Sequence, residues 1–179
     1  MYWKIKQMAK IELIVLARAI HVMAGVAWAG VTFTLASMIV PSAVRPNSEI
    51  TAHPTTLIGR RVGPVFGISS LLTVLSGIYL FAALHPTDSS AGGLVLRAGA
   101  LAALLSLVVG FLVGQPAGRR LAQLTSLAER NASTAAAGQD LAPLISRLRQ
   151  RAALSARLTA GLLSIAVLSM AVFRYAQAL

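Results

Sequence analysis

Four stretches of the chain, about residues 12–41, 63–84, 93–115 and 153–176, are apolar over most of their length, and polar segments rich in proline, serine and arginine separate them. Each stretch is long enough to cross a bilayer as a helix, which takes roughly 20 residues. The pattern predicts an all-α integral membrane four-helix bundle of up-down topology, a single transmembrane domain spanning residues 1–179. The first stretch runs on through Met38, Ile39 and Val40 with no small-residue cleavage pattern. It therefore reads as a retained helix and not as a signal peptide.

The connections set the orientation. The first holds Pro41, Pro46 and Pro54 and the Asn47-Ser48 pair, signals that interrupt helices, together with Arg45, Arg60 and Arg61. The second, "HPTDSSAGG", is short and has no Lys or Arg, which predicts a tight antiparallel hairpin of helices two and three. The third, about 116–152, holds Arg119, Arg120, Arg130, Arg147, Arg149 and Arg151. Within it Leu121, Leu124 and Leu127, and then Leu141, Leu144, Ile145 and Leu148, recur at helical spacing. Helices three and four are thus expected to continue past the bilayer as a hairpin, broken at "NASTAAAGQD" with Gly138 as a stop and Asp140 as an N-cap. Arginine marks the cytoplasmic side. The 116–152 hairpin is accordingly expected in the cytoplasm and both termini in the periplasm of a bacterial cytoplasmic (inner) membrane, although Lys4, Lys6 and Lys10 pull the N-terminus the other way. The Asn131-Ala-Ser133 sequon carries no weight on a cytoplasmic loop.

Composition narrows the chemistry. Of the 179 residues, 56% are hydrophobic and 12% charged, against about 25% charged in soluble domains. The net charge of +11 resides at helix ends and in loops, with no interleaved exposed aromatics, so anionic lipid headgroups of the bilayer and not nucleic acid are the expected partner. Cysteine is absent, which removes disulfides, thiolate metal sites, iron–sulfur clusters and covalent haem attachment. Glu12 is the one acid in or near a predicted span, whereas ion-coupled transport ordinarily uses intramembrane carboxylates. Met1, Met8, Met23, Met38 and Met170 form no paired motif of the sort that would favour copper. No hydrolytic triad, phosphate loop or zinc helix motif is present.

The segment "LARAIHVMAGVAWAG" places Arg18, His21, Gly25 and Trp28 three or four residues apart, followed by Thr32, so that they share one helical stripe. Gly25 leaves a notch beside the imidazole, and Ala17, Ala24 and Ala29 allow close approach of a helix or a flat ligand. A porphyrin uses such a slot, with a histidine for iron and an arginine for a propionate. The alternative stands beside it: His21 as interhelical glue bonded to a Ser or Thr, and Arg18 reaching to the surface. Met170 falls at a depth close to His21, which makes it a candidate second ligand or else ordinary core packing. His85 is a second candidate or a loop residue beside Pro86, and His53 is expected to be solvated. Arg97 and Arg174 lie on the same side as Arg18, to ring an anionic group or to anchor the interface; Arg157 lies nearer the other end.

These residues carry a resemblance. "ARAIHVMAGVAWAG" is similar to the first helix of the HemJ-type protoporphyrinogen oxidases and of the CopD-type copper-resistance membrane proteins, where a helix-borne histidine precedes a tryptophan by seven residues. "RRVGPVFGISSLLTVLSGIYLF", with its basic start, its proline and its late small-Gly pair, resembles their second helix, and "SMAVFRYA" the ending of related proteins. The resemblance implies a four-helix membrane bundle and, on the HemJ side, a b-type haem whose ligand position matches His21. Helix three departs from the HemJ pattern, with Arg97 where a lysine stands and no histidine beyond it. Three readings follow: a haem b redox or electron-transfer protein with His21 as ligand, a non-catalytic subunit or assembly factor packing in a larger respiratory or photosynthetic complex or with its own copies, and a copper-handling protein.

Overall fold

The computed structural model describes residues 2–39, 53–85, 88–130 and 135–176. The described residues are almost entirely helical: α1 (Tyr2–Thr34), a π turn (Leu35–Ile39), α2 (His53–Leu84), α3 (Ala91–Val109), a second π turn (Gly110–Gly114), α4 (Gln115–Arg130) and α5 (Ala135–Ala176). Four spans are long and apolar enough to cross a membrane, Gln7–Met38, Gly63–Leu84, Ala91–Leu127 and Ala142–Ala176. Leucine, valine and isoleucine cover their outer faces, among them Val26, Leu71, Leu112 and Leu168. A soluble bundle would turn such residues inward; here they face lipid, and the chain is a multi-pass membrane protein.

Without a hydrophobic force between helices in lipid, close packing and hydrogen bonds hold the bundle. Two pairs do most of this, α1 on α2 and α3 on α5, with lesser contact of α1 with α5 and of α2 with α3 and α4. Trp28 of α1, 1% exposed, packs with Phe66, Ala102, Ala103, Leu163 and Ala166 and so joins the two pairs at the centre. Its ring meets Phe66 edge-on, with centroids 6.4 Å apart.

Several expectations about boundaries are corrected. Helices begin earlier: α1 at Tyr2, and α2 at His53 within the stretch read as a polar loop. Pro54 occupies the first turn of α2, where a missing N–H costs nothing. Gly138 and Asp140, read as a stop and a cap, lie inside α5, because the surrounding alanines favour helix strongly enough to absorb one glycine. The sequon residues Asn131–Ser133 lie outside the described residues. Helix three does extend past its expected end, but through a π turn. Pro116 explains the widening: its ring clashes with the carbonyl four residues back and supplies no hydrogen. Gly110 and Gly114 keep this turn narrow enough to pack, the first against Phe66 and the second against Ser155.

Candidate functional site

His21 enters the α1–α2 seam about 13 Å from the C-terminal end of α2, counting nine residues from Ser76 to His85 at 1.5 Å each. Its Nδ1 lies 2.8 Å from the carbonyl oxygen of Thr73 and 3.3 Å from Ser76 Oγ. A carbonyl only accepts, so Nδ1 carries the proton and donates it. Ser76 Oγ itself donates to the carbonyls of Leu72 and Thr73, leaving its lone pair toward the imidazole. The Nε2 nitrogen is therefore the unprotonated one in the neutral ring, and it makes no hydrogen bond among the described residues.

The ring lies over Gly77. A Cβ at that position would stand 2.9 Å from His21 Cε1, closer than packing tolerates, so the glycine is the reason the imidazole fits flat against α2. The notch expected beside Gly25 is occupied: Thr73 Cγ2 would be 3.6 Å from a Cβ there. The stripe of small residues thus serves first to bring α1 onto α2. His21 itself is half-buried. Next to it on the outer face of the pair, Ile20, Met23, Ala24, Val65, Ile68, Ser69 and Leu72 line an apolar groove.

The remaining candidates fall into three groups. Arg18, one turn from His21, is exposed, and no ion pair to it is present among the described residues. Thr32 is buried and donates to the Trp28 carbonyl at 2.8 Å, continuing the stripe as packing. Met170 is half-buried on α5 and makes no hydrogen bond to His21.

His85 belongs to a separate cluster at the end of α2, between the rings of Phe81 and Phe173, with Nδ1 3.5 Å from Asp88 Oδ2. Arg97 joins that cluster, donating through Nη2 to the Asp88 carbonyl at 2.9 Å. Asp88 Oδ1 accepts from the Ser90 N–H, and Ser90 Oγ caps α3 at the Gly93 N–H. These contacts order the start of α3, but α2 and α3 touch only slightly, so the tight antiparallel hairpin expected of them is not formed: α2 packs on α1 and α3 on α5 instead. Arg174 is exposed, and among the described residues no shared acceptor draws Arg18, Arg97 and Arg174 into a ring. The side chain of His53 lies outside the described residues.

No group of three or more His, Cys, Asp or Glu side chains able to hold a metal is present among the described residues. Any metal at His21 therefore has fewer than three protein ligands of these types among the described residues, which suits a group that brings its own ligands, such as a porphyrin. Thr73, Ser76 and Gly77 are the site residues that pattern reading did not single out. Their signal was the small-Gly pair near the end of helix two, Ser76-Gly77, which marks where a side chain from another helix can lie flat. No family model, curated protein or solved structure matches this chain.

Proposed function

We propose that this membrane protein carries a b-type haem or comparable redox group on His21, in a CopD/HemJ-like bundle. The observation that supports it most is the hydrogen bond from Nδ1 to the Thr73 carbonyl, which sets the tautomer and leaves the Nε2 lone pair free for iron. Metal-ligating histidines ordinarily donate their other nitrogen to just such a carbonyl. Arg18, one turn away and free of ion pairs among the described residues, is the residue to meet a propionate. Bound there, the group supplies one-electron transfer. The protein's own share is to orient the imidazole, through Thr73, Ser76 and Gly77, and to raise its basicity. His85 is engaged by Asp88 in its own cluster, which leaves Met170 as the candidate second ligand.

A second reading has its own observation. Thr73 filling the space over Gly25, and Gly77 receiving the ring, make the same residues a fastener between α1 and α2, as in a non-catalytic subunit or assembly factor of a larger complex. Copper is a third reading with less support, since the methionines of the sequence form no paired motif. The arginines of residues 116–152 favour a bacterial inner membrane placement with that hairpin in the cytoplasm and the termini in the periplasm.

Haem extraction from the protein purified under haem-sufficient expression separates these readings. One haem per chain in the wild type and none in His21→Ala is the expected result. A wild type without haem that keeps copper through purification supports the third reading, and one with neither supports the second.

A further inference from the structure

Past the second π turn, at the end of the bundle opposite His85, Phe111, Gln115, Pro116, Arg119 and Arg120 line a concavity of about 330 Å³. Both arginines are exposed, and neither makes an ion pair or hydrogen bond among the described residues. The acidic side chains described in the structure, Glu12 and Asp88, belong to the other end of the bundle. Asp88 is about 45 Å from Arg119 along the course of α3 and α4, at 1.5 Å per residue. Among the described residues, no acidic side chain pairs with either arginine.

The setting decides what anion they meet. Phe111, Gln115 and Arg119 line the same face, over about 12 Å of helix axis at 1.5 Å per residue. Phe111 is exposed at the lower end of this face, as lipid-facing residues of the span are. The face therefore runs from the hydrocarbon into the headgroup layer: aromatic below, an amide in the middle, two planar cations above. Gln115 and the arginines offer hydrogen-bond donors at the height where a phosphodiester and a glycerol ester lie. A free phosphate would use the cations but leave the aromatic floor unused.

We infer that Arg119 and Arg120 form a binding site for an anionic glycerophospholipid. The two guanidinium groups hold the phosphodiester, Gln115 meets the glycerol ester, and an acyl chain runs down over Phe111. Arginine suits this better than lysine, because its fork matches phosphate oxygens two at a time.

Native mass spectrometry of the full chain in detergent tests the site, with phosphatidylglycerol and phosphatidylcholine of matched chain length offered together. The wild type is expected to retain phosphatidylglycerol in preference, and Arg119→Gln with Arg120→Gln to weaken that retention about tenfold. Arg147→Gln with Arg151→Gln, also exposed arginines of the same region, is expected to change it less than about twofold. Equal retention of the two lipids, an unaffected Arg119/Arg120 variant, or an equal loss in the Arg147/Arg151 variant would each overturn the assignment, the last by showing diffuse charge only. Excess inorganic phosphate is expected to leave the lipid bound; its displacing the lipid would show a free-phosphate site instead.

Discussion

The two helix pairs that build the bundle solve the same packing problem with different chemistry. In α3–α5 the contacts are made by groups that do nothing else: Ser106 Oγ donates to the Thr159 carbonyl at 3.1 Å, and Gly99 lets Ser169 approach until a Cβ would stand 2.6 Å from its Cβ. In α1–α2 the corresponding place is held by an imidazole, which bonds across the seam with one nitrogen and keeps the other free. A serine would fasten that seam at lower cost in buried polarity. The contrast teaches that α3–α5 is scaffold, and that the titratable group of the α1–α2 seam is where chemistry can reside.

The largest expected effect comes from removing what joins the pairs. Trp28→Ala empties the centre between Phe66 and Leu163 and is expected to cost about 3 kcal/mol, read as a lowered unfolding midpoint in detergent. Because Trp28 Nε1 is buried without an acceptor among the described residues, Trp28→Phe should lose far less. If the phenylalanine variant falls as far as the alanine one, the indole N–H has a partner that this account omits.

Within the scaffold pair, Gly99→Val is expected to cost about 2 kcal/mol, since the atom it meets is a Cβ fixed to the backbone of α5. Haem content per folded chain should stay unchanged. In the other pair, Gly77→Ala meets only the ring of His21, which can swing, so about 1 kcal/mol is expected. Its effect on haem content should exceed its effect on stability, the reverse of Gly99→Val. Equal behaviour of the two glycine variants in both measurements would erase the distinction between the pairs.

The smallest effect belongs to Ser106→Ala, at about 0.6 kcal/mol, the usual worth of an interhelical hydrogen bond in a membrane. Denaturant titration in mixed micelles reads it.

How much of this was legible beforehand follows from the range of each signal. Hydropathy is local, so the four spans were readable, as was the stripe from Arg18 to Thr32. Helix ends were not: the start of α2 at His53 and the passage of α5 through Gly138 depend on propensities summed over a turn or two, which a single cap residue does not override. The two π turns each precede a proline, Pro41 or Pro116, yet nothing in periodicity separates a widened turn from an ended helix. The partners of His21 come from 52 and 55 residues away, and no local pattern links them. Arg97 and His85, grouped with His21 as candidates, were instead drawn to Asp88, a residue that pattern reading passed over in the short loop.

The most direct test of the central claim, that His21 holds a redox group through its free Nε2, is the absorption spectrum of the detergent-purified protein, oxidised and dithionite-reduced, beside the His21→Ala variant. A Soret band that shifts on reduction is expected in the wild type and is expected to be absent from the variant. A colourless wild type after haem-sufficient expression, or a band that persists without His21, would contradict the claim.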